Sequence, residues 1–159
     1  MFRIEIIAVG KLTQPFVRDG VREYLDRVRP YYNVAVTEIS DQKPQGSRPA
    51  DMEKVIKAEG LRIIKALKVR ELPVTALASE GEMMSSNSFA RLLADEAARS
   101  GGCTFIIGGP LGLSGEVKAR ACRMLSLSAM TLPHQLARLM LLEQIYRAAA
   151  INNNLPYHK

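Results

Sequence analysis

The chain has 159 residues, the usual length of one domain, and 47% of them are hydrophobic while 24% are charged. This composition excludes extensive disorder, and the formal net charge of +6 favours a polyanionic partner such as RNA without requiring one. The first ten residues do not resemble a signal peptide, and no apolar run is long enough to cross a membrane. We therefore expect one cytoplasmic domain over residues 1–159, with no membrane contact.

Cysteine usage argues against disulfides and metals. Cys103 and Cys122 both lie in apolar segments, and neither belongs to a CxxC pair or a His/Cys cluster. We therefore predict two buried free thiols and no metal site, as is usual in a reducing compartment.

Strands and helices are predicted to alternate along the chain. Phe2–Val9 is rich in β-branched residues and predicts a buried strand that ends at Gly10. Pro15 then opens an amphipathic helix. Further on, residues 40–49 are rich in Pro, Gly and Ser and predict a mobile loop. The strands are predicted at Phe2–Val9, Val34–Ile39, Val74–Ala78, Cys103–Ile107 and Leu125–Leu127.

Caps and stops define the helices. Ser114 can cap the fourth helix, and Gly101 and Gly102 stop the third. The helices are predicted from Pro15 to Pro30, from about Ala50 to Lys68, from a cap at Ser85 or Ser86 to about Arg99, from Ser114 through Arg123, and from near Pro133 to the tail at Asn152. The last helix has a predicted apolar stripe at Leu136, Leu139, Met140 and Tyr146.

This alternation implies an α/β fold, a mostly parallel sheet with helices on both faces. Ligands of such sheets bind beyond the carboxyl ends of the strands. The loops after the third, fourth and fifth strands are therefore the candidate site: Leu77–Gly81, Gly108–Gly112 and Ser126–Leu132.

The loop Gly108–Gly112 follows a strand, and its glycines let a ligand approach the backbone closely. A cofactor loop and a tight turn are equally good interpretations, and the loop is neither a Walker loop nor a GxGxxG fingerprint. The hydroxyl residues of Leu125–His134 precede a helix, where backbone amides suit an adenine edge or a carboxylate. A short strand followed by a Thr131 cap is the simpler interpretation.

Polar residues near the C-terminus have ordinary explanations when taken singly. His134, near a helix start, is typical of a packing or capping residue. Arg138, Glu143 and Arg147 are typical of solvated charges or helix-face pairs. The end of the chain, Pro156–Lys159, is typical of a fraying terminus.

In their order and spacing, however, these segments resemble one family, the ribosomal RNA large subunit methyltransferase H family of the SPOUT class. The resemblance runs from end to end. It is carried by Ala8–Lys11, Glu80–Gly81, Ser85–Ser86, Phe89–Ala90, Ile106–Pro110, Gly112–Ser114, Leu125–Ser128, Thr131–His134, Glu143–Gln144, Tyr146–Ala148 and Pro156–His158. Leu111 and Leu155 depart from the family, which often has a polar residue at each place.

The resemblance implies one SPOUT methyltransferase domain over 1–159, with a trefoil knot near the C-terminus and an obligate homodimer. It implies transfer of a methyl group from S-adenosylmethionine to N3 of a pseudouridine in 23S rRNA on the assembled ribosome. The methyl donor is expected to contact Leu77, Gly108, Leu127, Ser128, Ala129, Met130, Thr131 and Leu132.

We predict that His158, or a water that it holds, accepts the proton of the target nitrogen. Arg138 is predicted to stabilise negative charge on the base, and Tyr157 to stack on the base or orient it. Three alternatives stay open: a SPOUT enzyme that acts on tRNA or another RNA, a ribosome-binding factor without catalysis, and a flavodoxin-like nucleotide-binding module.

Overall fold

A computed structural model describes residues 1–67 and 72–158, except for the side chain of His158. The described residues form five strands, five α-helices and one 3-10 helix. In chain order these are β1 (Arg3–Val9), α1 (Pro15–Val28), β2 (Asn33–Ile39), α2 (Pro49–Leu67), β3 (Val74–Met83), α3 (Ser86–Ser100), β4 (Gly102–Ile107), α4 (Gly115–Arg120), β5 (Arg123–Ser126), α5 (His134–Asn152) and the 3-10 helix η1 (Pro156–His158).

The strands form one parallel sheet in the order β2-β1-β4-β3-β5. In its centre Ile6 of β1 pairs with Val36 on one side and Phe105 on the other. Side chains of α1, α3 and α5 pack in the cluster on one face, and α2 and α4 contribute to the cluster on the other. This confirms the predicted α/β fold, and it brings the carboxyl ends of β3, β4 and β5 to one edge.

Local capping chemistry places several helices where the sequence predicts them. Ser85 caps α3, because its Oγ accepts a hydrogen bond from the Ser88 amide at 3.1 Å. Gly101, with φ of 66°, ends the same helix in the left-handed conformation that favours glycine. Ser114 caps α4 by accepting from the Val117 amide at 3.3 Å.

Two predicted boundaries near β5 were wrong. The strand covers Arg123–Ser126 instead of Leu125–Leu127, and α4 ends at Arg120 instead of Arg123. The reason is pairing with β3: Arg123 aligns with Thr75, so the strand begins earlier than its apolar pattern suggests. The predicted end of α2 at Lys68 lies outside the described residues.

The apolar stripe predicted on α5 was partly wrong. Met140 is 40% exposed, whereas the fully buried side chains of α5 lie elsewhere on the helix. They are Arg138, Leu141, Leu142, Ile145 and Ala148–Ala150. Because α5 carries apolar residues around most of its circumference, periodicity alone does not identify the face that meets the sheet.

The two cysteines differ. Cys103 is buried in β4 as predicted, and burial raises the pKa of its thiol to about 12. Cys122 is exposed, so the prediction of a second buried thiol was wrong. It lies where α4 turns into β5, and its thiol donates to the Val74 carbonyl at 3.1 Å.

Across the described part of the chain, no helix is both long and apolar enough to span a membrane.

Candidate functional site

A cavity of about 540 Å³ opens at the carboxyl edge of β3, β4 and β5, and we call it the edge cavity. Its volume suits a small organic ligand. The three segments selected from the sequence meet there, although the prediction of a loop at Leu77–Gly81 was wrong. This segment lies within β3, whose pairing with β5 shifts in register between Leu77 and Glu82. The cavity is lined by Leu77–Glu80, Ile107–Pro110, Gly112, Leu113, Lys118, Leu125–Ser128, Met130–His134 and Ala137.

Glycines shape the loop Gly108–Gly112, which we call the glycine loop. A Cβ on Gly108 would lie only 3.0 Å from the carbonyl carbon of Gly112, so a side chain there would push the two ends of the loop apart. Gly112 has φ of +85°, and its amide donates to the Gly109 carbonyl at 3.0 Å. The loop therefore presents compact backbone to the cavity.

The segment before α5 is tied to itself by its hydroxyl side chains. The Ser126 Oγ donates to the Ser128 carbonyl at 2.9 Å, and the Met130 amide donates to the Ser128 Oγ at 3.0 Å. Pro133 occupies the N-cap of α5 without a side-chain cap, so a capping role for Thr131 was wrong. Met130 is 77% exposed and projects at the rim.

An ion pair at the cavity was not apparent from the sequence. Lys118 on α4 pairs with Glu80 at the end of β3, and both line the edge cavity. The hydrogen bond from Lys118 lowers the pKa of the Glu80 carboxyl. The two residues are 38 positions apart in the chain, so neither spacing nor motif could have paired them.

His134 lines the cavity at the start of α5. Burial lowers the pKa of its imidazole, the positive charge of Arg138 lowers it further, and Asp41 opposes both. The ring is therefore neutral at pH 7 and able to accept or donate one hydrogen bond.

Arg138, predicted to act on the target base, lies behind the cavity. Its side chain is 1% exposed. The guanidinium donates to Glu38 Oε1 at 2.7 Å and to the Gly10 carbonyl at 2.8 Å. These contacts fasten β2 and the loop after β1 to α5, and the charge of Arg138 is one cause of the lowered pKa of His134.

Tyr157 lies in the C-terminal tail (residues 153–158), which docks on the middle and second half of α5. Its hydroxyl donates to Glu143 Oε1 at 3.1 Å and lies 3.1 Å from the Tyr24 hydroxyl. Its ring centroid is 4.7 Å from that of Tyr146, and the Arg147 guanidinium carbon lies 4.9 Å from its centroid. Burial raises the pKa of the Tyr157 phenol. The side chain of His158 lies outside the described part of the chain.

The structure brings together seven of the eight residues predicted to contact the donor. Leu77, Gly108, Leu127, Ser128, Met130, Thr131 and Leu132 line the edge cavity. Ala129 does not line it. Within residues 1–67 and 72–158, no three His, Cys, Asp or Glu side chains are grouped to hold a metal ion.

A family model described as predicted SPOUT methyltransferase matches residues 2–158. The chain belongs to the SPOUT methyltransferase family. Its relatives include proteins named ribosomal RNA large subunit methyltransferase H. The one from Carboxydothermus hydrogenoformans is 46% identical over 98% of this chain and 99% of its own length. The one from Streptococcus gordonii is 41% identical over 99% of both chains.

Solved structures share the fold at low identity. A protein from Bordetella pertussis described as a probable methyltransferase has a TM-score of 0.56 and 15% identity, over 92% of this chain and 93% of its own. A Legionella pneumophila methyltransferase, solved with bound SAM, has a TM-score of 0.50 and 14% identity. That match covers 91% of this chain and 65% of the Legionella chain.

Proposed function

We propose that this chain uses S-adenosylmethionine to methylate N3 of a pseudouridine in 23S rRNA on the assembled ribosome, and that it works as a homodimer. The edge cavity carries the proposal, because it joins the three segments that the family resemblance assigns to the methyl donor. The names of the relatives support a large-subunit rRNA substrate.

The cavity fits such a donor. The apolar walls from Leu77, Leu113 and Leu125 suit the adenosine and thioether parts, while compact backbone at Gly108 and around Ser128 offers hydrogen-bonding groups to polar edges. When bound, the donor supplies a methyl group on a sulfonium, a good leaving group, so that positioning dominates the chemistry. The trefoil knot implied by the resemblance belongs to this proposal.

No described residue of the tail lines the cavity of its own chain. Tyr157 bonds to Glu143 and packs on Tyr146, which lie nine and twelve positions after His134, or about 14 Å and 18 Å along α5. A second copy can bring its tail over the cavity instead. This geometry supports a site completed by the partner subunit.

The surface of α5 supports a second copy as well. Leu136 and Leu139 are only partly buried in the single chain, and Met140 is 40% exposed. An α-helix that is apolar on nearly all sides is normally buried on all sides. Association through α5 would cover these side chains.

In the proposed reaction, the N3 proton of the pseudouridine leaves before or during attack, and His158 or a water that it holds accepts it. Tyr157 orients the base. Arg138 does not contact the base directly in this proposal, because its guanidinium is buried against Glu38 and Gly10. It acts on the base through its electrostatic field and through the position of the loop after β1.

Methyl transfer from labelled S-adenosylmethionine tests the proposal. The substrates are ribosomes that lack the modification, protein-free 23S rRNA, and total tRNA. Label in the 23S rRNA of ribosomes, mapped to N3 of a pseudouridine, is the expected result. Label in tRNA alone would favour the tRNA alternative, and donor binding without any label would favour a ribosome-binding factor.

A further inference from the structure

A buried carboxyl lies behind the edge cavity. Glu59, in the middle of α2, is 3% exposed, and it makes no ion pair with any residue of the described ranges. Burial raises the pKa of this carboxyl, and the hydrogen bond from the Gln42 amide offsets only part of that effect. A carboxyl this deeply buried is costly unless it is paired or its oxygens are hydrogen-bonded, so an oxygen without a partner calls for an explanation.

Both oxygens of Glu59 lie near Gly109, but only one has a hydrogen-bond partner; Oε1 is 3.5 Å from the point where a Cβ on Gly109 would be. Oε1 accepts a hydrogen bond from the Gln42 amide at 3.0 Å, in the segment between β2 and α2. Oε2 has no hydrogen-bond partner among the described residues, and it lies 3.1 Å from the point where a Cβ on Gly109 would be. Val9 closes the same space, with Cγ1 also 3.1 Å from that point. The unpartnered oxygen is therefore directed at the glycine loop.

We propose that Glu59 is a positioning residue that holds the glycine loop in its donor-binding shape. Oε2 is the acceptor for a backbone amide of that loop when the methyl donor is bound, an assignment that rests on the proposed function. A glycine at position 109 leaves room for the carboxyl to come this close.

A variant of Arg62 distinguishes positioning of the glycine loop from anchoring of the segment between β2 and α2. From the same helix, its guanidinium donates to the Ser40 carbonyl at 2.9 Å and to Gln42 Oε1 at 3.1 Å. It thus holds the segment between β2 and α2 without a hydrogen bond to the glycine loop. Arg62→Ala loosens that segment and removes a positive charge near Glu59, but it leaves the carboxyl beneath Gly109 in place. Glu59→Gln changes that carboxyl itself.

The test compares Glu59→Gln with Arg62→Ala and with Glu53→Gln, an exposed carboxyl on the same helix. Gln keeps the size of the side chain and the acceptor for Gln42, but it puts an NH2 group where Oε2 was. The measurements are S-adenosylmethionine binding by calorimetry, kcat and KM on ribosomes, and amide exchange of residues 108–113 in the free protein.

We expect Glu59→Gln to weaken donor binding about tenfold and to raise the donor KM equally, with kcat at saturating donor within about twofold of wild type. Exchange of the glycine-loop amides becomes faster while exchange in the central strands does not change. Both control variants stay within about twofold of wild type for donor binding.

Wild-type donor binding in Glu59→Gln would overturn the proposal, and so would faster exchange throughout the chain, which indicates a structural role only. An equal loss in Arg62→Ala would assign the effect to the other segment. If the wild type binds no donor, the proposed function fails, and amide exchange in the free Glu59→Gln variant then tests the positioning role by itself. Faster exchange in the glycine loop would support that role, and unchanged exchange would reject it.

Discussion

The edge cavity and the C-terminal tail lie at different places along α5. The glycine loop, the segment before α5 and part of β3 meet at the cavity, beside the start of the helix. The tail is held by Glu143, Tyr24 and Tyr146, against the middle and the second half of α5. Both regions carry the family resemblance, but no described residue of the tail lines the cavity.

This difference suggests that the cavity serves donor binding and the tail serves proton transfer in the proposed reaction. Donor binding follows from topology, because parallel strands bring their following loops to one edge. In the proposed function a second chain supplies the tail, since no described tail residue lines the cavity of its own chain. The predictions below separate donor binding from methyl transfer.

Deletion of Pro156–Lys159 is expected to have the largest effect. It removes the proposed proton acceptor, so methyl transfer to ribosomes should fall by about 10²-fold or more. Donor binding should stay within about twofold of wild type, since the tail of the same chain does not line the cavity. Labelled-donor assays and calorimetry measure the two quantities. Equal losses in both would show that the two regions are not independent.

Gly108→Ala is expected to act on the cavity alone. The new Cβ would lie 3.0 Å from backbone of Gly112 and from Leu113 Cδ2, so the glycine loop must open, and donor binding should weaken about tenfold.

Gly115→Ala is the matched control for this substitution. Apart from its chain neighbours and the backbone of its own helix, no atom of the described residues lies within 4 Å of its Cβ position. Ala also favours the helix over Gly, so stability should rise slightly with donor binding unchanged. Wild-type donor binding in Gly108→Ala would contradict the cavity assignment.

Tyr24→Phe tests the anchoring of the tail with a smaller change than the deletion of Pro156–Lys159. It removes the hydroxyl 3.1 Å from that of Tyr157 and leaves the Tyr157–Glu143 hydrogen bond in place. We expect a stability loss of about 0.5–1.5 kcal/mol and a fall in methyl transfer of a few fold. Denaturant titration and single-turnover assays measure these, with Tyr31→Phe on the turn after α1 as control. A larger effect on donor binding than on methyl transfer would argue against separate roles for the cavity and the tail.

His134 should give the smallest effect, in the dependence of stability on pH. Its pKa is lowered in the folded chain, so the unfolded chain binds the proton at higher pH. The stability from neutral His134 is complete above the unfolded pKa of about 6.5 and is lost as pH falls through the folded pKa.

As pH falls from about 7 to about 5, wild type should therefore lose more stability than His134→Gln, by no more than about 2 °C in Tm. Thermal melts at the two pH values measure the difference. His158→Gln, which removes the second of the two histidines, is the comparison. Equal losses of stability in wild type and His134→Gln would show that the His134 imidazole has the same pKa in the folded chain as in the unfolded chain.

Much of the site was predictable because topology and local patterns determine it. The alternation of strands and helices was enough to select the three segments that line the cavity. The pairs that join distant segments were not predictable: Lys118 with Glu80, Arg138 with Glu38, and Glu59 beneath Gly109. Their spacing in the chain has no period, so only the folded chain brings them together.

By itself, the sequence determined the α/β class, the caps of α3 and α4 and the edge at which the cavity opens, because these follow from short-range patterns and from the geometry common to parallel sheets. Tertiary structure alone decided which face of α5 is buried, where β5 begins, that Cys122 is exposed, and that the tail docks on α5 outside its own cavity. Each of these depends on contacts between segments distant in sequence, where packing against a neighbour overrides local preference.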